Sequence, residues 1–250
     1  MGRGVTEAIA EYAEARPGMK VLDVATGTGE PGITLAKRVL PDGWVTAVDL
    51  SPELLEIAAE RARQRKLTNF ETRQADAHQL PLDSHVFDLA TCRFGVMFFA
   101  RAEEALREVR RVLKPGARAC FAAWGSFEQP YWQSTMKIAH QHAGGTLFEA
   151  GATDPFRFSE AGSLSKVLRS AGFHEVEESL RDVPWVWPGT ADEVFEYASS
   201  CSTPFKPMLA RIPEEKRPEM LANARVAIER FRVGDEIRFG AKIVLASGKA

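Results

Sequence analysis

The stretch VLDVATGTGEPG, residues 21–32, decides how this chain folds. A short apolar run, Met19–Val24, ends in a glycine-rich loop, and Pro31 stands at the start of a helix expected over Gly32–Leu40. Gly27-Thr28-Gly29-Glu30-Pro31-Gly32 fits the G-x-G-x-x-G pattern of a strand–loop–helix turn that holds a dinucleotide. Glycines there let the backbone approach a ligand with no Cβ in the way. On the glycines alone a tight turn with no ligand stays open, because short motifs match by accident. Asp23, four positions ahead of the first glycine, stands where a nicotinamide-binding loop normally carries an apolar residue. A carboxylate aimed into the loop would repel a diphosphate and suits a ligand that bears an ammonium group.

Outward from this loop, strand and helix signals alternate. Trp44–Leu50 reads as a second strand, and Ser51-Pro52 caps a helix through about Lys66, with Leu54, Leu55, Ala58 and Ala62 at helical spacing. Phe70–Gln74 and Val86–Phe94 are the next strands. An amphipathic helix over Ala102–Leu113 stops at Lys114-Pro115-Gly116, before a fifth strand, Ala117–Trp124. Strands joined by single helices imply right-handed crossovers and a doubly wound, mostly parallel α/β sheet. Beyond this the pattern changes. Ser126–Phe158 has no clear strand, Ser159–Ala171 reads as a helix, and Phe173–Trp187 as a long strand. Thr190–Phe231 is helical but broken by Pro204, Pro207, Pro213 and Pro218. Glu236–Ala246 closes the chain as an alternating strand, so the last two strands suggest an antiparallel pair added to the sheet edge.

Ligands of open α/β sheets sit at the carboxyl ends of the strands, near the point where strand order reverses. Asp49, 22 residues after Gly27, ends the second strand, where a carboxylate can accept both hydroxyls of a ribose; that position fits a nicotinamide cofactor equally well. Asp76, after the third strand, either reads an adenine edge with its neighbouring amide or merely caps a turn.

Taken together, Asp23-x-x-x-Gly27-x-Gly29, Asp49, Asp76-Ala77, Phe87-Asp88 and Leu113-Lys114-Pro115-Gly116 resemble the class I S-adenosylmethionine-dependent methyltransferases, nearest in look to the ubiquinone/menaquinone-biosynthesis type. The likeness covers about Met19–Trp124, and Phe158–Val176 fits the family's later helix and strand. It implies a seven-stranded Rossmann-like sheet with an antiparallel last pair and S-adenosylmethionine as cofactor. It also implies that Asp23 and the loop with Thr26, Gly27, Thr28 and Gly29 hold the cofactor's amino-acid end. Asp49 would take the ribose, Leu50 would pack on the adenine, Asp76 and Ala77 would read its amino group, and Arg93 would lie near the methionine part. Gly32 becomes an ordinary helix residue, its fit to the dinucleotide pattern a coincidence.

The rest of the chain narrows the chemistry. A formal net charge of −2 gives no global pull toward nucleic acid or an anionic membrane. Three cysteines, Cys92, Cys120 and Cys201, are odd in number and widely spaced, which points away from a disulfide framework or zinc site and toward a reducing cytoplasm. Neither a signal-peptide run nor a membrane span is recognisable. Residues 1–250 read as one domain, with residues 19–124 as cofactor core and residues 1–18, 125–158 and 190–231 as a lid over the acceptor.

Candidate bases are thin. His140 and His142 lie two apart on a helical stretch and read as surface residues, as does His85; His78 either lines the cofactor mouth or belongs to a turn, and His174 opens a strand. The run after the fourth strand, Thr91–Phe99, lacks both the Asn/Asp-Pro-Pro-aromatic motif of amino-group methyltransferases and the carboxylates of the magnesium-dependent catechol type. Tyr12, Phe94, Trp124 and Tyr131 are the candidates for contact with a small apolar or aromatic acceptor, methylated without a metal. An NAD(P)-dependent oxidoreductase and a non-catalytic S-adenosylmethionine-binding protein are the competing readings.

Overall fold

The computed structural model describes residues 1–250. Helix α1 (Arg3–Tyr12) leads into strand β1 (Lys20–Val24), whose last four residues are buried, as befits an apolar run covered on both faces. Then follow α2 (Gly32–Arg38), β2 (Trp44–Asp49), α3 (Pro52–Gln64), β3 (Phe70–Gln74), β4 (Phe87–Arg93), α4 (Ala102–Val112) and β5 (Leu113–Trp124). The Ser51 hydroxyl accepts the Leu54 N–H at 3.2 Å, the expected cap of α3.

The remaining chain forms α5 (Pro130–Ser134), α6 (Met136–Ala143), α7 (Ser163–Ser170), β6 (His174–Pro188), α8 (Ala191–Cys201), α9 (Lys206–Ala210), α10 (Arg217–Glu229), β7 (Arg232–Val233) and β8 (Glu236–Lys249). The strand order is β3-β2-β1-β4-β5-β8-β6, with the short β7 pairing β8. Strands β1 to β5 are parallel, and the order reverses between β1 and β4. The carboxyl ends of those two strands therefore face a crevice.

The antiparallel last pair stands at the sheet edge as expected: β8 lies between β5 and β6, antiparallel to both. Its run Ala241–Ser247 is buried almost throughout except at Lys242, whereas β6 is mostly exposed or half-buried and carries Glu175, Glu177, Glu178, Arg181 and Asp182. A charged strand belongs at an edge, where it discourages pairing with another chain. Two expectations need correction. Leu113 already pairs with Phe87 and Arg118 with Leu89, so Lys114–Ala117 bulges out of β5, with Gly116 at φ +77° making the bend. Secondly, α7 begins at Ser163 rather than Ser159. Gly162 at φ +84° precedes it, and the Glu178 carboxylate of β6 accepts the Gly162 and Ser165 N–H groups at 2.5 and 2.7 Å, capping the helix from outside.

The insertions on either side of β6 pack together. Helix α10 touches α5, α6 and α8, and α5 rests on β8, so residues far apart in sequence build one helical cap against the sheet.

Candidate active site

A cleft of about 380 Å³ opens at the carboxyl ends of β1, β2 and β4. Its walls come from four loops: Val24–Thr28 after β1, Val48–Leu50 with Leu54 after β2, Ala75–His78 after β3, and Arg93–Gly95 with Phe98 and Phe99 after β4. Their convergence at one place is a consequence of the parallel topology.

The glycine loop is held from behind. Ala25 and Gly27 adopt φ of +52° and +55°, which turns the chain sharply at the end of β1. A Cβ built on Gly27 meets nothing within 4 Å, so it would project into the cleft, whereas one on Gly29 would fall 2.5 Å from Ile33 Cδ1. Gly27 faces the ligand space; Gly29, expected beside the cofactor, is required by packing on α2 and does not line the cleft. Gly32 is likewise no coincidence, since a Cβ there would stand 2.9 Å from Asp23 Oδ2 and 3.0 Å from Phe70 Cε2. It lets α2 approach the sheet closely.

Asp23 departs most from expectation. It is fully buried and absent from the cleft wall. Its carboxylate accepts the Thr26 hydroxyl at 2.6 Å, the Thr91 hydroxyl at 2.8 Å and the Gly32 N–H at 3.0 Å, tying loop, β4 and α2 together. Burial pushes its pKa up to about 6, against the three hydrogen bonds and the Arg93 charge, which favour the ionised form. Asp23 positions the loop and does not reach into the cleft.

Asp49 does reach it. Oδ2 accepts the Gly27 N–H at 2.8 Å and Oδ1 the Ser51 N–H at 3.1 Å, which fixes the carboxylate while each oxygen keeps acceptor capacity. Leu50 beside it is 63% exposed, an apolar surface at the cleft with nothing packed over it. Thr26 is buried, and the Thr28 hydroxyl accepts Arg61 Nη1 at 2.6 Å.

Asp76 caps a turn and also lines the cleft. Oδ1 caps a turn by accepting the His78 N–H at 2.9 Å and lies 2.6 Å from His78 Nδ1, while Asp76 and Ala77 both line the cleft. The His78 backbone and ring hold the Asp76 carboxyl below the usual carboxylate range. His78 Nε2 accepts the Arg101 N–H at 3.3 Å, so the ring is the Nδ1–H tautomer and both its nitrogens are engaged. Arg93 lines the cleft with its guanidinium committed to the Glu30 carbonyl at 3.1 Å, the Gly2 carbonyl at 3.2 Å and the Thr6 hydroxyl at 3.2 Å. Burial lowers its pKa, offset by the Asp23 charge.

The acceptor candidates separate. Phe94 lines the cleft and stacks on Trp124 at 4.3 Å, with Tyr131 behind at 6.3 Å from Trp124. Tyr12 lies elsewhere: its hydroxyl accepts from Ser247 Oγ at 3.2 Å under the Arg118 guanidinium, and it is no part of the cleft. Helix α1 runs back along the sheet from Gly2 beside Arg93, which carries Tyr12 away from the strand ends. Phe98 and Phe99, expected with Phe94 and Met97 as candidate apolar lining, stand in the cleft wall. Sequence reasoning missed Leu54 and Arg157; Arg157 Nη2 donates to the Val96 and Phe99 carbonyls at 3.1 and 2.8 Å and pins the loop after β4. No sequence signal marks Arg157, because its partners are backbone atoms about 60 residues away. His140 and His142 bond to the Gly145 carbonyl and Asn223, and no three His, Cys, Asp or Glu side chains stand together as a metal site.

A profile of a methyltransferase domain matches residues 21–116, the segment that builds this cleft. A ubiquinone/menaquinone biosynthesis C-methyltransferase of Bordetella parapertussis is 36% identical over 179 residues, covering 66% of this chain and 67% of the relative. The chain belongs to the S-adenosylmethionine-dependent methyltransferase family. A second C-methyltransferase of the same name, from Idiomarina loihiensis, is 40% identical over 169 residues, 67% of this chain; the chain spans 65% of that relative's length. The YcgJ protein of Bacillus subtilis has the same fold, with a TM-score of 0.59 at 20% identity and coverage of 98% and 97% of the two chains. S-adenosylmethionine is the family's cofactor, and the residues here fit it: a bare Gly27 beside open space, a fixed carboxylate at Asp49, and an exposed apolar side chain at Leu50.

Proposed function

We propose that this methyltransferase family member transfers the methyl group of S-adenosylmethionine to a carbon of a small aromatic acceptor of the hydroquinone class. The observation that carries the reading is the aromatic wall at the end of the cofactor cleft, Phe94 stacked on Trp124 at 4.3 Å. It suits a flat apolar ring better than an amine or a polymer end. The names of the relatives support the class.

The bound cofactor supplies a methyl group activated by its sulfonium. The chain's own task is orientation in a dry site, worth roughly 7–11 kcal/mol when two reactants are aligned. Asp49 would hold the ribose, the Gly27 loop the amino-acid end, and Asp76 with the Ala77 N–H the adenine. Asp23 and Thr91 would act at one remove by fixing that loop. Arg93, with Nε and Nη1 bound to protein oxygens, would keep the wall beside the methionine part in place. Turnover without metal is part of the reading, since no cluster of metal-ligating side chains faces the cleft.

The test is anaerobic transfer of labelled methyl from S-adenosylmethionine to an alkyl naphthohydroquinone, with product mass read by spectrometry. A gain of one methyl on ring carbon is expected. Methylation of oxygen alone would overturn the carbon assignment, and no transfer to any hydroquinone would overturn the acceptor class.

A further inference from the structure

Where the loop after β3 meets the cofactor cleft, one histidine ties two loops together. His78 lines the cleft with Asp76 and Ala77, and its side chain is 15% exposed where that of Asp76 is 50% exposed. The N–H of Arg101, just before α4, donates to His78 Nε2 at 3.3 Å. A backbone N–H can only donate, so the ring proton sits on Nδ1. Nδ1 donates it to Asp76 Oδ1 at 2.6 Å, and the His78 backbone N–H reaches the same oxygen at 2.9 Å. The ring also stands edge-to-face with Phe99, centroids 6.0 Å apart, so the loop after β4 supports it from a third side.

A turn capped by Asp76 is complete with the backbone N–H alone. The ring bond is an addition that the turn does not require, and it changes what the carboxylate can do. Both His78 donors fall on Oδ1, while Oδ2 accepts from no protein group. Two bonds on one oxygen stop a half-exposed carboxylate from turning, so the other oxygen points one way into the cleft mouth. The same bonds hold the carboxyl below the usual carboxylate range, which keeps it an ionised acceptor. An exocyclic amine is the matching donor. A ring carbonyl in its place would be a second acceptor, which a carboxylate repels.

We propose that His78 is a positioning residue for the cofactor: its Nδ1–H aims Asp76 Oδ2 at the exocyclic amine of the adenine, and its Nε2 is itself held by the start of α4. This assignment rests on Asp76 as the adenine contact and adds the group that gives that contact its direction. The effect is therefore one of base selectivity. Releasing Asp76 removes both the gain from the amine and the repulsion of a carbonyl at the same place. The contacts made by Asp49 and the Gly27 loop to the rest of the cofactor are left as they were. A general loosening of the cleft would instead weaken every nucleoside alike.

The experiment titrates two ligands by calorimetry: S-adenosylhomocysteine, and S-inosylhomocysteine, which carries a carbonyl oxygen in place of the amine. It compares the wild type with His78→Phe, which keeps a ring against Phe99 and removes both ring hydrogen bonds. The variant is expected to bind S-adenosylhomocysteine about 10-fold more weakly and S-inosylhomocysteine no more weakly than the wild type does, so the preference between them falls about 10-fold. The amide of Asn reaches the place of Nδ1, and that of Gln the place of Nε2. His78→Asn should therefore keep most of the preference and His78→Gln should lose it, a contrast that decides the matter even where His78→Phe does not fold. An unchanged preference in His78→Phe, a loss shared equally by the two ligands, or a preference in His78→Gln that matches His78→Asn would each overturn the positioning role. Asp76→Ala separates that role from the reading beneath it. If Asp76→Ala keeps the wild-type preference, Asp76 does not read the adenine and the assignment falls with it. A preference lost in Asp76→Ala but kept in His78→Phe would overturn the role of His78 alone.

Discussion

Asp23 and Asp49 are both carboxylates at the ends of parallel strands, and their surroundings give them opposite tasks. Asp49 is fixed by two backbone N–H groups at the cleft, so removing it deletes acceptors for the ribose. Asp49→Ala should weaken S-adenosylmethionine binding by about 1.5–3 kcal/mol, and Asp49→Asn by less, both read by calorimetry. Gly27→Val should abolish binding, because its side chain enters the ligand space and the φ of +55° strains the loop around it; normal binding by that variant would remove the loop from the site. Asp23 is buried, with its pKa raised from 3.8 to about 6, so the folded state holds its proton more tightly than the unfolded state does. Its contribution is therefore fully present below about pH 3.8 and lost as pH rises through about 6, a loss of about 3 kcal/mol by pH 7. Asp23→Asn removes that titration. The stability of wild type relative to Asp23→Asn should thus be greater at pH 4.5 than at pH 7.5 in urea melts, and an equal difference at both pH values would contradict the burial assigned to this carboxyl. At this scale the sequence revealed which residue types surround the loop but not their direction. A carboxylate that faces the ligand and one that ties the loop from below look alike in a strand-end motif, and only the tertiary partners Thr91 and Gly32 separate them.

Elements were legible where the signal is local. Strand β3 was read to the residue, and α3 was readable from its Ser51-Pro52 cap, because caps and apolar runs act over a few residues. The position of β8 was less accessible, since strand order depends on contacts between segments more than 100 residues apart; its buried run and the charges of β6 explain the order once seen. The bulge at Lys114–Ala117 hid inside a stretch that reads as a helix stop. The helical cap gives the element-scale prediction. Residues 203–217 run through α9 and its flanking turns, broken by prolines, and α9 packs on α6 within the cap. If the cap closes over bound ligand, S-adenosylhomocysteine with a hydroquinone should slow proteolysis between Pro204 and Pro218. Identical cleavage with and without ligands would leave these helices as fixed packing.

For the whole molecule, the parallel sheet delivers four loops to one cleft, and the segments outside it form a cap rich in aromatic side chains. Tyr12 and Trp185 show the limit of reading this from sequence. Both are aromatic residues outside the cofactor core, yet the path of α1 removes one from the site while the long β6 brings the other to Phe94. No three metal-ligating side chains cluster, so turnover should persist in chelator; loss restored by magnesium would contradict the metal-free chemistry. The central claim is that this cleft holds S-adenosylmethionine through Asp49 and the Gly27 loop. Calorimetric titration of the wild type and Asp49→Ala with S-adenosylmethionine and with NADH tests it directly. The account predicts saturable binding of S-adenosylmethionine, weakened at least about 10-fold by Asp49→Ala, and none of NADH. Tighter binding of NADH, or S-adenosylmethionine binding indifferent to Asp49, would contradict it.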